Sequence, residues 1–145
     1  MGKIWFKEFT LEQVNGLGRD TMISHVGIEV TEIGDDYLRG RMPVDQRTRQ
    51  PYGILHGGAS VVLSETLASV GAQFVLDWEN TRCVGLEINA NHVRSVSEGY
   101  VLGTTRPVHL GRRTQIWETR ITDERDRLTC ISRITMAVLD RSEDK

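Results

Sequence analysis

The chain has 145 residues, of which 39% are hydrophobic and 26% charged, and its net charge is −2 with a pI near 6.1. This length fits one domain, which we expect to span residues 1–145, and the composition excludes a disordered or fibrous protein. Because so small a net charge gives no field for holding a polyanion, nucleic acid and anionic membranes are poor partners.

Targeting and redox signals are absent from the sequence. The N-terminus lacks the apolar core and the small-residue cleavage site of a secretory signal. The most apolar stretch is interrupted by Glu65 and Gln73, so it is not a membrane span. Cys83 and Cys130 lie far apart in strand-like segments and form neither a CxxC pair nor a zinc-ligand pair, so we interpret them as buried thiols. We therefore expect a soluble cytoplasmic protein.

The first third of the chain predicts a short helix and a hairpin. Thr10 and Gln13 have the spacing of a capping box, which favours a helix running to about Gly18. Apolar residues then alternate over 26–32 and 37–44, and the Gly-Asp-Asp sequence between them is typical of a turn. We expect a β-hairpin here.

A long apolar helix follows a loop. Residues 45–56 are rich in Arg, Gln, Pro and Gly, whereas nearly every residue from Gly57 to about Trp78 is apolar. A helix of this length spans roughly 30 Å. Such a helix is expected in the middle of a domain, covered on most sides.

Four strand-like segments come next, over residues 83–90, 100–107, 115–122 and 128–139. In the first of them Val84, Leu86, Ile88 and Ala90 alternate onto one face. Residues 142–145 are expected to be a frayed tail. This order predicts an α+β fold in which a curved antiparallel sheet wraps around one long central helix.

Glu65 is the unusual residue of the long helix. A carboxylate within an apolar helix is costly unless it is paired, hydrated or functional. Val61, Glu65, Ser69 and Gln73 follow one another at i, i+4 spacing, so three polar side chains form one stripe. A solvated or arginine-paired glutamate and a functional glutamate both remain open on this evidence.

The start of the same helix offers backbone N–H groups. His56 is followed by Gly57 and Gly58, and the first N–H groups of a helix have no partner within the helix. Because glycine has no side chain, a substrate carbonyl can approach these amides, as an oxyanion site requires. A tight turn is the alternative interpretation of the two glycines.

The sequence also resembles a known family. The resemblance is carried by residues 47–59 (RTRQPYGILHGGA) with 64–66 (SET), by 85–94 (GLEINANHVR) and by 107–112 (PVHLGR). With these motifs the chain resembles the PaaI-like group of hotdog-fold acyl-CoA thioesterases. Within that group it is most similar to the branch containing the bacterial 1,4-dihydroxy-2-naphthoyl-CoA thioesterase of menaquinone synthesis and the enterobactin-associated proofreading thioesterase.

The resemblance implies roles for five catalytic residues. Glu65 is expected to be the nucleophile or the general base, and the Gly57 N–H to polarise the thioester carbonyl. Gln50 and His56 match positions that orient the thioester or the attacking water, and Ser69 matches a supporting polar residue.

The resemblance also implies a set of substrate-binding residues, and we expect neither a metal nor a cofactor. The expected contacts to the CoA thioester come from Gly58, Asn91, His92, Arg94, His109, Gly111 and Arg112. We expect no metal, because the four histidines lack close spacing. We expect no cofactor either, since CoA is part of the substrate.

The predicted function is hydrolysis of an aromatic or related acyl-CoA thioester, with 1,4-dihydroxy-2-naphthoyl-CoA as the best single substrate. The alternatives are a non-catalytic acyl-CoA-binding module, a thioesterase acting on acyl-carrier-protein substrates, and a hydratase on the same fold. An uncovered sheet edge predicts a homodimer as the minimum unit. The resemblance implies a site between subunits, with Glu65 from one chain and Gln50 or the His56 loop from the other, and favours a homotetramer formed as a dimer of dimers.

Overall fold

The structure, a computed structural model, describes the backbone of residues 2–144 and the side chains of residues 2–142. The helices are α1 (Leu11–Leu17), α2 (Met22–His25) and α3 (Gly57–Phe74). The strands are β1 (Glu29–Ile33), β2 (Leu38–Pro43), β3 (Thr81–His92), β4 (Tyr100–Leu110), β5 (Thr114–Thr122) and β6 (Leu128–Asp140), and a 3-10 helix covers Arg141–Asp144.

The six strands form one antiparallel sheet with the order β1-β2-β4-β5-β6-β3, and α3 packs against it. The predicted α+β architecture of a sheet with one long central helix is confirmed. Strand β5 shows why the helix lies where it does, because Gln115, Trp117, Thr119 and Ile121 alternate onto the buried face. A Cβ on Gly71 of α3 would lie only 2.8 Å from the Trp117 ring, so this glycine lets the helix rest directly on the sheet.

Helix α3 ends at Phe74, four residues before the predicted end at Trp78. The N-terminal segment runs across this end of the helix, where the Phe6 N–H donates to the Phe74 carbonyl at 3.0 Å. Phe9 stacks on Phe74, and Trp78 packs edge-on against the same ring. Trp78 therefore belongs to an aromatic cluster that closes the helix rather than to the helix itself.

The prediction that one face of β3 carries Val84, Leu86, Ile88 and Ala90 is wrong. A bulge interrupts the pairing with β6 between Gly85 and Glu87 and skips Leu86, which moves the alternation by one residue. Val84 and Leu86 are 37% and 62% exposed, whereas Ile88 and Ala90 pack against the core. Cys83 and Gly85 take the inward positions before the bulge.

The single chain covers α3 fully along one side and partly along most of the rest. Its buried residues are Ser60, Leu63, Ser64, Leu67, Ala68, Gly71 and Ala72, which follow one side of the helix. Within residues 57–74, Gly58 and Glu65 are the two exposed positions.

Smaller differences concern the ends of the chain and the thiols. Helix α2 was not predicted, and β1 begins at Glu29 rather than at Val26. The expected frayed tail instead begins with a 3-10 helix, and residue 145 lies outside the described residues. Both cysteines are free, Cys130 buried and Cys83 half-buried. Among the described helices, none combines the length and the apolar character needed to cross a membrane.

Candidate active site

The start of α3 is capped by the side chain of His56. Its Nδ1 accepts the Gly58 N–H at 2.8 Å, and its carbonyl accepts the Ala59 N–H at 2.9 Å. Because Nδ1 is an acceptor here, the proton of the neutral imidazole lies on Nε2, an assignment that follows from the hydrogen bond. Within residues 2–144, the Gly57 N–H donates to no acceptor. The helix therefore begins with one occupied amide and one available amide.

His92 lies against the available amide. A Cβ built on Gly57 would be 2.9 Å from His92 Nε2, so the absence of a side chain at residue 57 admits the imidazole. His92 is the last residue of β3, and this strand therefore brings it to the N-terminus of α3. Gly57 and His92, which were assigned to the catalytic and the substrate-binding set respectively, therefore lie side by side.

A cavity of about 440 Å³ opens beside these two residues. It is lined by Gln50, Ile54, Leu55, Gly57, Ser60, His92, Val93, Arg94, Ser95, Val96 and Thr129. Gln50 is held in its own turn, because its side-chain oxygen accepts the Tyr52 N–H. Gln50 and Arg94 thus line the same cavity as Gly57 and His92, together with apolar residues such as Leu55.

Glu65 lies on the same helix, but its surroundings differ from those predicted. Its side chain is exposed in the single chain rather than buried in an apolar interior. The carboxylate lies over Gly85 of β3, where a Cβ would be 3.1 Å from Glu65 Oε1. Ile134 and Met136 are the next neighbours of that Cβ position, at 3.6 and 4.0 Å.

The polar stripe on α3 continues toward the start of β3. Ser69 is half-buried, with its hydroxyl 4.0 Å from the Met136 sulfur. Gln73 bonds the backbone of β3 twice, by donating to the Thr81 carbonyl at 3.1 Å and accepting the Cys83 N–H at 3.0 Å. Glu65 and Gln73 of the stripe therefore face β3, where Gln73 finds backbone hydrogen-bond partners.

Glu65 and Gly57 of one chain are too far apart to act on one carbonyl group. They are separated by eight residues of helix, which corresponds to about 12 Å along the axis at 1.5 Å per residue. A nucleophile and an oxyanion donor must both lie about 3 Å from the reacting group. The single chain brings Gly57, Gln50, His92 and Arg94 together and leaves Glu65 apart from them.

The remaining predicted contacts divide between two ends of the sheet. Asn91 is exposed near the His92 end of β3. His109, Gly111 and Arg112 lie near the β4–β5 turn, where Arg112 borders a cavity with Thr81 and Asp140. Since Thr81 and His92 are the two ends of β3, roughly 35 Å apart at 3.3 Å per residue, one chain does not bring these groups together.

Other chemistries find little support among the described residues. No three His, Cys, Asp or Glu side chains of residues 2–142 come together in a way that would hold a metal ion. Burial raises the pKa of the Cys83 thiol to about 11, which leaves little of the nucleophilic thiolate at neutral pH.

Gly85 is the neighbour of Glu65 that sequence reasoning did not place in the site. It stands in the quoted GLEINANHVR stretch, and a glycine inside a strand often marks a place that another group approaches closely. The sequence therefore indicated a close approach at Gly85, but it did not identify Glu65 as the residue that approaches.

Comparisons with known proteins identify the family of the chain. The profile of the Thioesterase superfamily matches residues 52–130. The 1,4-dihydroxy-2-naphthoyl-CoA hydrolase of Escherichia coli (strain K12) is 52% identical over 136 residues, 94% of this chain and 99% of that protein. The proofreading thioesterase EntH of Cronobacter turicensis is 48% identical over 94% of this chain and 98% of its own length. A mutant of thioesterase PA1618 from Pseudomonas aeruginosa superposes with a TM-score of 0.94 at 41% identity, over 95% of this chain and 99% of that one.

The chain belongs to the Thioesterase superfamily and has its hotdog fold. It is a thioester hydrolase with acyl-CoA thioesterase activity. The resemblance predicted from the motifs around Gln50, Glu65 and His92 is confirmed.

Proposed function

We propose that the enzyme hydrolyses aromatic acyl-CoA thioesters, with 1,4-dihydroxy-2-naphthoyl-CoA as the preferred candidate. The observation that carries the proposal is the available Gly57 N–H at the mouth of the cavity shared with His92, together with an unpaired carboxylate on the open side of the same helix. The substrate is suggested by the name of the Escherichia coli relative. A cytoplasmic location follows from that substrate, because CoA thioesters are intracellular metabolites.

The proposed reaction uses a carbonyl polariser and a carboxylate. The Gly57 N–H donates to the thioester oxygen and stabilises the negative charge that develops there. Glu65 then acts in one of two ways. As a nucleophile it attacks the carbonyl carbon, the C–S bond breaks, and the departing thiolate takes a proton from water. A second water then hydrolyses the mixed anhydride, which releases the carboxylic acid and restores the Glu65 carboxylate. As a general base it takes a proton from the water that attacks the same carbon; the C–S bond then breaks as the tetrahedral intermediate collapses, and the departing thiolate takes the proton back from Glu65.

The site in this proposal is built from two chains. The 12 Å between Glu65 and Gly57 along one helix supports a carboxylate that is supplied by the partner subunit. The exposure of Glu65 in the single chain supports the same arrangement, since a second subunit would cover that side of α3. Gln50, His56 and His92 belong to the side that binds the carbonyl, and Ser69 to the side that supports Glu65.

We infer a homodimer as the minimum unit and a dimer of dimers as the complete enzyme. Besides the open side of α3, the chain leaves Val84, Leu86 and Val108 exposed, and apolar side chains of this size support further subunit contacts. The mechanism draws on side chains and backbone amides, so it calls for no cofactor and no metal.

Substrate preference is tested by comparing kcat/KM over a panel. It contains 1,4-dihydroxy-2-naphthoyl-CoA, benzoyl-CoA, a straight-chain acyl-CoA and benzoyl-loaded acyl-carrier protein, with the released thiol followed by a colour reagent. The aromatic CoA esters should give the largest values. A preference for the straight chain would refute the acyl class, and a preference for the carrier protein would refute CoA as the thiol.

Replacing Glu65 tests the chemical assignment. Glu65→Ala and Glu65→Gln should each reduce kcat by at least about 100-fold, because an acid–base or nucleophilic carboxylate contributes that much or more. Glu12→Gln, which alters an exposed carboxylate on α1, serves as the matched control and should keep full activity. Normal turnover by Glu65→Ala would exclude the proposed role.

A further inference from the structure

The β3–β4 segment, residues 93–99, forms one wall of the cavity at the start of α3. Val93, Arg94, Ser95 and Val96 line that cavity, and the resemblance assigns Arg94 to CoA binding. Six of the seven residues are exposed, and only Val96 packs against the core. Because apolar contacts are so few, the segment depends on hydrogen bonds for its position.

Arg94 makes no side-chain contact that would fix its position. Among residues 2–142, its exposed guanidinium forms no hydrogen bond and no ion pair. Its backbone N–H donates to the Thr129 carbonyl at 3.4 Å, beside the Val93 N–H, which donates to the same carbonyl at 2.8 Å. These bonds anchor the start of the segment. The place that the guanidinium reaches then depends on how the rest of the segment is held.

The rest of the segment is held by the loop that carries Gln50. The Leu55 N–H donates to the Val96 carbonyl at 2.7 Å. The guanidinium of Arg49 donates twice to the next carbonyl, that of Ser97, from Nε at 3.1 Å and from Nη2 at 2.9 Å. Arg49 and Leu55 face each other as an isolated β-bridge of the loop. Two facing residues therefore hold two successive carbonyls of the segment.

The Arg49 side chain is the part of this contact that a substitution can remove. A guanidinium presents its N–H groups in a rigid plane, so two of them on one carbonyl oxygen define its direction as well as its distance. The backbone bonds of the loop do not involve this side chain, since the Arg49 N–H donates to the Asp45 carbonyl and the Gln50 N–H to the Ile54 carbonyl. Loss of the guanidinium should therefore free the segment and leave Gln50 in place.

Thr48, the preceding residue, holds a different part of the site. Its side chain is buried, and its hydroxyl donates to the Pro43 carbonyl at 2.7 Å. Its own carbonyl accepts the N–H of His56, the residue that caps α3, at 2.8 Å. Thr48 is thus tied to the carbonyl-binding side of the site, whereas Arg49 is tied to the wall that carries Arg94.

We propose that Arg49 is a positioning residue for CoA recognition. By holding the Ser97 carbonyl it fixes the β3–β4 segment, and the segment in turn places the Arg94 guanidinium against the phosphates of the substrate. Arg49 does not itself contact the substrate, because two of its three guanidinium nitrogens already donate to the protein. The inference rests on the function proposed above, since it takes Arg94 as a contact to CoA.

Kinetics with a long and a short substrate test the proposal. Arg49→Met should raise KM for benzoyl-CoA by about fivefold and keep kcat within about twofold, because the weakened contact is made equally before and during the reaction. With the benzoyl thioester of N-acetylcysteamine, which lacks the phosphates, the variant should match the unsubstituted enzyme in kcat/KM. Thr48→Val should instead lower kcat for both substrates. Arg47→Met removes a neighbouring exposed arginine that pairs with Asp45, and as the control it should keep both constants.

A double-mutant cycle shows whether Arg49 acts through Arg94. Arg94→Ala should raise KM for benzoyl-CoA by about tenfold, and adding Arg49→Met should cause no further rise. Arg49→Lys, which keeps one donor for the Ser97 carbonyl, should recover most of the loss. A rise that adds to that of Arg94→Ala would indicate direct contact with the substrate and would overturn the proposal. An equal loss with the short thioester would overturn it as well.

Hydrogen exchange provides a readout that does not depend on turnover. In Arg49→Met the Leu55 N–H, which bonds the carbonyl next to that of Ser97, should exchange several-fold faster with solvent. The melting temperature should change little, because the Arg49 side chain is exposed. Unchanged exchange of the Leu55 amide would mean that Arg49 does not hold the segment.

The outcome is separable from that of the proposed function. If Arg94→Ala leaves KM unchanged, the CoA contact and the role of Arg49 both fail, while the role of Glu65 is decided by Glu65→Ala alone. If Arg94→Ala raises KM and Arg49→Met does not, the positioning role is refuted and the CoA contact stands.

Discussion

Glu65 and His92 occupy matched positions, because each side chain lies on a glycine of the neighbouring element. Glu65 extends from α3 over Gly85 of β3, and His92 extends from β3 over Gly57 of α3. Glycine inside an element costs roughly 0.5–1 kcal/mol relative to alanine. Space for a functional side chain gives a reason for keeping both glycines.

Substitution of Gly85 should affect catalysis more than stability. In Gly85→Ala the new Cβ would lie 3.1 Å from the Glu65 carboxylate, whereas Ile134 and Met136 leave it ordinary contact distances. The carboxylate, as the end of a flexible side chain, would move, and small displacements of a reacting group are costly. We expect kcat to fall by about tenfold, with KM and the melting temperature nearly unchanged.

The comparison that isolates this effect is a double-mutant cycle. Adding Gly85→Ala to Glu65→Ala should cause no further loss of kcat, because the displaced group is already gone. Gly16→Ala is the control, since a Cβ at that glycine meets nothing within 4 Å. An equal loss in the Glu65→Ala background would mean that Gly85 acts through something other than Glu65.

Residue types in the site were predictable, but their exposure was not. The spacing of His56, Gly57 and Glu65 is the basis of the proposed chemistry, since backbone amides and a carboxylate suit a thioester. The apolar sequence around Glu65 predicted burial within one chain. Instead the carboxylate is exposed, because the apolar sides of α3 are divided between the sheet of its own chain and a surface left open.

At the scale of elements, the β5–β6 turn shows how one carboxylate can hold a hairpin. Asp123 accepts the Arg125 and Arg127 N–H groups at 2.9 and 3.0 Å, and its second oxygen accepts from Arg127 Nε at 2.8 Å. The backbone hydrogen bond from Arg127, with the bond from the Arg127 side chain, holds the pKa of Asp123 below its ordinary value despite partial desolvation.

The lowered pKa of Asp123 predicts a pH dependence of stability. The charged carboxylate contributes its full stabilisation above the unfolded-state pKa, about 3.9, and loses it as the pH falls through the lower folded-state value. Urea unfolding between pH 5 and pH 2 should therefore show a slope of free energy against pH that is shallower in Asp123→Asn by up to about one proton. Glu124→Gln, in the same turn, should keep the original slope; a matching loss of slope there would contradict the assignment.

Strand positions were largely predictable from alternation, whereas the bulge in β3 was not. Val84, Leu86, Ile88 and Ala90 alternate without a break in the sequence, so periodicity alone places them on one face. The structure inserts Leu86 as an extra residue, and Gly85 next to it is the only local sign. A bulge depends on the pairing with β6, which a pattern within one strand does not record.

At the scale of the whole molecule, the decisive question is whether two chains share each site. Gly57→Pro removes the amide that we propose to bind the carbonyl. Proline is tolerated at the first position of a helix, and His56 already has the extended backbone that precedes proline. Gly57→Ala keeps the N–H and adds the same Cβ. If the amide matters, Gly57→Pro should be the less active of the two.

Mixing the Gly57→Pro and Glu65→Gln variants then tests whether each active site takes residues from two chains. Each variant alone should be nearly inactive. After subunit exchange, half of the dimers contain one chain of each kind, and every such dimer has one intact site and one doubly defective site. Activity should recover to about a quarter of that of the unsubstituted enzyme. No recovery, with exchange verified by tagged chains, would be evidence for sites contained within single chains.

Strand β1 lies at one edge of the sheet, and the Asn15 side chain bonds its backbone at Val30. This contact bears on how many chains could join edge to edge. If two six-stranded sheets joined through β3, both outer edges of the combined sheet would be β1 strands, on which Asn15 already bonds the Val30 N–H and carbonyl. A third sheet would have to displace Asn15 from Val30, so growth along the sheet beyond two chains would be disfavoured. Such a dimer would therefore be a poor starting point for a fibre that grows by pairing of sheet edges.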